Sequence, residues 1–124
     1  MRRLLLGLAP ACLVLAGCSG NSLPPQTESA EGREVLKTVL DGWVAGRSME
    51  EMKAGKPAVV AYDPDWEAGH RLTKYVVGAT DGRAGVDLLL SVKLHLDRKD
   101  GKSQEKTVNF CVAIGSQTVV TRKQ

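Results

Sequence analysis

Aromatic residues make up only 4% of the 124-residue chain: two tryptophans, two tyrosines and one phenylalanine. That is too few for a platform on which successive nucleic-acid bases could stack. Cysteine is scarce as well, at three, and the spacing fits no zinc site. Glycine-rich phosphate loops and the nucleophile elbow of hydrolases are absent. No apolar run reaches the roughly 20 residues that a membrane-spanning helix needs. Asp63, Asp65, Glu67 and His70 gather metal-ligating side chains in one stretch. They lack the glycine and closing glutamate of a calcium loop, and a lone histidine is poor zinc chemistry. An N-capped turn that packs Trp66 onto the core is the better reading, and no metal or other cofactor is expected.

What is present is concentrated at the start. Arg2 and Arg3 precede an apolar run from Leu4 to Leu15, broken only by Gly7 and Pro10. A basic start, a short apolar core and small residues behind it make a secretory signal. Its end, Leu15-Ala16-Gly17-Cys18, resembles the lipobox of bacterial lipoproteins. The resemblance implies that the sulfur of Cys18 takes a diacylglyceryl group. The lipoprotein signal peptidase then cuts between Gly17 and Cys18, and the freed amine is acylated with a fatty acid such as palmitate. Each buried methylene contributes about 0.8 kcal/mol, so two or more chains hold firmly where one would be marginal. The protein is thus expected in the bacterial cell envelope, lipid-anchored to a membrane and facing the periplasm or the exterior. Ser19 resembles the signal for passage to an outer membrane, where the host has one.

Removal of residues 1–17 takes Arg2 and Arg3 away, leaving 15 of the 17 basic side chains against 14 acidic ones. A surface so balanced has no field to steer nucleic acid or anionic substrates, and nucleic acid is not an expected partner. Cys111 becomes the lone free thiol. In an oxidising compartment it is expected to be covered as a small buried residue. Residues 18–28 read as a tether, with two prolines and no apolar period. Residues 29–124 have the length of one domain.

Within that domain Val35, Leu36, Val39, Leu40 and Trp43 recur at helical spacing, and Gly46 stands where a left-handed cap belongs. Ser48 and Glu51 form a capping box for a short turn. Residues 57–62 read as a short strand or connector. Asp63-Pro64 starts another turn, with proline at the first helical position. Residues 71–77 read as a strand ending at a Thr80-Asp81-Gly82 turn. Val86, Leu88, Leu90, Val92, Leu94 and Leu96 then alternate with polar residues, as do Val108, Phe110, Val112 and Ile114. A Lys99-Asp100-Gly101 loop makes these a hairpin, pairing Arg98 with Lys102, Leu89 with Cys111 and Leu90 with Phe110. Leu90 and Phe110 should lie beneath the Val39–Trp43 end of the helix. A last strand covers 118–122. The class is α+β: one long N-terminal helix on a roughly four-stranded antiparallel sheet.

That order, a helix with tryptophan near its end and then long strands, resembles the cystatin-like and nuclear-transport-factor-two-like folds, and is similar to small uncharacterised envelope lipoproteins of bacteria. Enzymes of the transport-factor-like fold work in the cavity between helix and sheet. Here the positions facing it are aliphatic or Phe110, with no general acid or base. The glutamine–valine–glycine loop of cystatin inhibitors has no counterpart, since Gln117-Thr118-Val119-Val120-Thr121 ends in threonine. His95 and Cys111 share the other face, but six residues of register separate them by about 20 Å. The expectation is therefore a non-catalytic module that binds an envelope protein or wall component. The alternative is a small-ligand binder using the helix–sheet cavity. Leu89, Ser91, Thr107, Asn109, Cys111 and Ala113 should form a patch of small and apolar groups on the outer sheet face. The patch is a candidate self-association face, to be covered by a second copy of the domain or another protein, the alternative being that the C-terminal residues or the tether fold back over it.

Overall fold

The computed structural model describes residues 25–123. The signal, Gly17, Cys18 and most of the tether therefore lie outside the described residues. Alternation at period 2 puts Leu88, Leu90, Val92, Leu94 and Leu96 on one face of the strand Asp87–Asp97 (β3), all but inaccessible to solvent. The strand Ser103–Ala113 (β4) pairs with it antiparallel and adds Phe110 and Val112 to the same face. Leu89 meets Cys111 and Leu90 meets Phe110, in the expected register. The loop closes through Gly101, whose φ of 91° suits glycine, and through Arg98 N–H donating to Lys102 O at 2.8 Å.

The helix Ser29–Val44 (α1) lays Leu36, Val39, Leu40 and Trp43 on that apolar face. Gly32 and Gly42 lie on its buried side, where a Cβ would come within 2.6 Å of Leu88 Cδ2 and of Met52 Sδ respectively. Gly46, with φ of 87°, follows the end of the helix, and Arg47 N–H donates to Gly42 O. In place of one long helix there are three short ones among the described residues. Met49–Ala54 (α2) opens with the complete Ser48–Glu51 capping box. Pro64–Glu67 (α3) is capped by Asp63, whose carboxylate accepts from Asp65 N and Trp66 N. The 16 residues of α1 span about 24 Å at 1.5 Å per residue, which does not cover the sheet alone.

Two expectations about the sheet are corrected. First, it has five strands, in the order β1-β5-β4-β3-β2, and it is mixed. Val60–Tyr62 (β1) runs parallel to Val119–Lys123 (β5), while the other pairs are antiparallel. Second, Thr80-Asp81-Gly82 is not a turn. The strand Arg71–Ala84 (β2) runs through it, and the chain reverses at Gly85, with φ of 64°. An irregularity between Val77 and Asp81 takes up the extra residues. Arg33 of α1 holds it there, donating to Gly78 O at 2.8 Å and pairing with Asp81 at 2.6 Å.

The direction of α1 follows from the same contacts. Arg33 reaches Asp81, which stands opposite Leu90, whereas Trp43 Nε1 donates to His70 O at the far end of the sheet. The start of the helix, not its Trp43 end, therefore lies level with Leu90. Just before α1, Thr27 is only 4% exposed. Its N–H donates to Val86 O at 2.9 Å, its hydroxyl accepts from Ile114 N, and its carbonyl accepts from Arg83. The chain thus enters the domain at the Val86–Ile114 edge. No helix among the described residues is long and apolar enough to cross a membrane.

Candidate functional site

The space between helices and sheet is filled. Leu36, Val39, Leu40 and Trp43 meet Leu88, Leu90, Leu94 and Phe110 in one cluster of buried side chains. An open groove of about 480 Å³ lies beside this core, bordered by Trp43, Arg47, Met49, Trp66 and His70. Two of its lining residues are the tryptophans, stacked on each other at 5.1 Å and within 4° of parallel. Both indole N–H groups are spent on the fold: Trp43 donates to His70 O and Trp66 to Arg47 O, each at 3.0 Å. The pair locks the α1–α2 connection to the end of α3.

The four residues Asp63, Asp65, Glu67 and His70 do not converge. No group of three or more histidine, cysteine, aspartate or glutamate side chains among the described residues is placed to hold a metal ion. Asp63 caps α3, Glu67 accepts from Tyr62 Oη at 3.3 Å, and His70 Nδ1 accepts from Lys99 N at 2.9 Å. Asp63 and Asp65 instead meet two cations that sequence reading did not connect to them. Arg122 lies beside both, with its Nε 3.0 Å from Asp63 Oδ2 and its Nη2 bonded to Asp65. Lys106 Nζ donates to Asp65 at 2.9 Å. Burial pushes the Asp63 carboxyl above its ordinary range, opposed by two backbone N–H donors and by Arg122. A signal for this was present: Arg122 is in phase with the buried Val120 and so points inward. Two carboxylates against two cations make a charge-balanced ion cluster, in which Asp63 Oδ2 and Arg122 Nε face each other at 3.0 Å with no hydrogen-bond partner.

Among the described residues no helix packs on the outer face of the sheet. Across it the register sets Leu89 beside Cys111, Cys111 beside Thr121 and Thr121 beside Tyr62. One row further, Ala113 adjoins Val119 and Val119 adjoins Val60. Ser91 and Asn109 pair in the row on the other side, and Thr107 pairs with Lys93 beyond it. The six residues expected on this face do share it, and Val60, Tyr62 and Val119 extend the patch. Those three were missed because their strands are short and pair in parallel, which leaves no local trace.

Cys111 is half-buried there and donates to Asp87 Oδ2 at 3.7 Å. Burial raises its pKa, and the Asp87 charge raises it further, so the sulfur is kept as the thiol. His95 stands opposite Glu105, 3.2 Å from its carboxylate, far along the strand from Cys111. The two cannot form a nucleophile and base. No family model, curated protein or solved structure matches the chain.

Proposed function

We propose that this protein is a non-catalytic lipoprotein of the bacterial envelope, anchored through Cys18, which acts by binding a protein or wall component. The observation that carries the reading is the order of basic start, short apolar run and Leu15-Ala16-Gly17-Cys18. The rest of the chain is in keeping with it. The acidic cluster is tied up in ion pairs, the lone thiol is held protonated by burial and by Asp87, and the helix–sheet interior is filled with side chains. That filled interior weighs against the small-ligand alternative. The open face of the sheet is the surface left for contact. The domain itself is proposed as a member of the cystatin-like or nuclear-transport-factor-two-like architectures.

Metabolic labelling with a clickable fatty acid tests the anchor. Wild-type chain is expected to take the label and the Cys18→Ala variant to lose it. A wild type without label, or a variant that keeps it, ends the reading. Density-gradient fractionation of a host with two membranes should then place the labelled chain in the outer one. A pull-down from detergent-solubilised envelope, compared with a Leu89→Lys variant, would name the partner.

A further inference from the structure

The open sheet face is not uniform along its strands. At the end near the Gly85 turn its side chains are Val60, Tyr62, Leu89, Cys111, Ala113, Val119 and the small polar Thr121, with Tyr62 42% exposed and the others half-buried. Asp87, paired with Ala84 at the start of β3, brings a charge beside those rows and accepts the Cys111 thiol. At the opposite end the same face carries Lys74, Lys93, His95, Glu105 and Asp97, with Val76, 58% exposed, as the apolar side chain among them. An apolar, tyrosine-bearing end and a charged end on one surface make a polarity gradient along the strands.

The chain enters the domain at the apolar end. Thr27 is pinned to Val86 and Ile114, the residues that follow the Gly85 turn and Ala113. Nine peptide steps separate Cys18 from Thr27, which at full extension reach no more than about 30 Å. A lipid held at Cys18 therefore confines the entry point at this end of the sheet to within about 30 Å of the bilayer. Apolar side chains with a tyrosine at the rim are the composition that settles into the headgroup boundary.

We infer that the apolar end of the open sheet face, Leu89–Cys111–Tyr62 and the row beside it, rests on the surface of the membrane that anchors the chain. The inference rests on the Cys18 reading and adds an orientation: the domain lies with its sheet toward the lipid and its helices toward the solvent. The charged end of the face then projects into the aqueous space, where a partner can reach it.

The test uses the full chain, made in a bacterium, purified in detergent and returned to vesicles of phosphatidylethanolamine and phosphatidylglycerol. Nitroxide probes are placed at Thr121→Cys and, separately, at Lys93→Cys, both on the open face, in a Cys111→Ser background. The near-ultraviolet signal of the stacked tryptophans reports that each variant is folded. Cys111→Ala replaces the serine variant should that signal be lost. The Thr121 probe should favour oxygen over a nickel chelate more strongly than the Lys93 probe does, as burial at the headgroup boundary requires. Equal, water-like access at both positions overturns the orientation while fatty-acid labelling of the same preparation leaves the anchor standing. Spin–spin broadening at Thr121 also overturns it, because a second copy then covers the face. A preparation that takes no fatty acid ends the anchor and the orientation together.

Discussion

At the scale of single residues, two neighbours on β3 separate core from surface. Leu90 is inaccessible and packed against Phe110, whereas Lys93 points from the open face. Leu90→Ala should cost about 2–5 kcal/mol, through lost transfer energy and the cavity left behind. Lys93→Ala should cost about 0.5 kcal/mol or less. Urea titrations with equal losses for the two would mean that the faces are reversed. Arg122 presents a different case. Taking it away leaves Asp63 and Asp65 buried with only Lys106 nearby, and removal of one partner from a buried pair costs about 3–5 kcal/mol. Arg122→Met is therefore expected to be more damaging than Asp63→Asn, which keeps an acceptor for the cap of α3. The pH dependence has a definite sign. Burial already raises the Asp63 carboxyl, and loss of the guanidinium raises it further. A carboxyl raised by folding favours the folded state below its unfolded pKa, and that advantage disappears as pH rises through the folded value. The deficit of Arg122→Met should accordingly be small in acid and grow toward neutrality, read as the difference in urea midpoint at each pH.

Elements join the molecule through a few specific straps, and α1 is held to β2 by two of them. Arg33 bonds Gly78 and Asp81, and Tyr75 Oη donates to Asp41 at 2.6 Å. The Tyr75 bond and then the Lys37 bond draw the exposed Asp41 carboxyl below its usual range. A lowered carboxyl contributes stability above its unfolded pKa, which is lost as pH falls through the folded one. Amide protection in the second half of α1, corrected for the intrinsic pH dependence of exchange, should thus fall in acid, and Tyr75→Phe should lower it at neutral pH and flatten the response. An unchanged acid response in the variant would remove this strap from the account. Glycine acts on the other side of the same helix. A Cβ at Gly32 would collide with the immobile Leu88, whereas one at Gly46 meets open space at a positive φ. Gly32→Ala should therefore cost more than Gly46→Ala, whose strain is about 1 kcal/mol. Local pattern made much of this legible. Alternation at even positions set the β3–β4 register to the residue, and cap residues placed the end of α1 and the starts of α2 and α3, while the start of α1 has no side-chain cap. The β2–β3 turn was misplaced because Thr80-Asp81-Gly82 has turn composition, and the Arg33 contact that keeps it extended comes from far away in the chain. Arg122 with Asp63, and β1 with β5, were hidden for the same reason.

For the molecule as a whole, the decisive connection joins its first strand to its last. β1 has a single neighbour, β5, which also carries the cation for Asp63 and pairs with β4 through Val120 and Thr121. Such contacts, distant in sequence, form only after most of the chain has been ordered. The hairpin of β3 and β4 can pair by itself, but α2, β1 and α3 reach the sheet through β5 and through the tryptophan stack. Removing residues 118–124 would strip β1 of its hydrogen bonds, leave Asp63 without Arg122 and open the edge of β4, where Val112 now lies against Val120. The expected product keeps strand and helix signals in the far-ultraviolet. Its near-ultraviolet tryptophan signal should be lost, because Trp66 is positioned by the turn that Asp63 caps. Leu90→Ala should by contrast weaken the fold while leaving the stacked pair intact at low denaturant. If the truncated chain retained the tryptophan signal and a sharp unfolding transition, the last strand would be an ornament on the sheet and not the clasp that closes it.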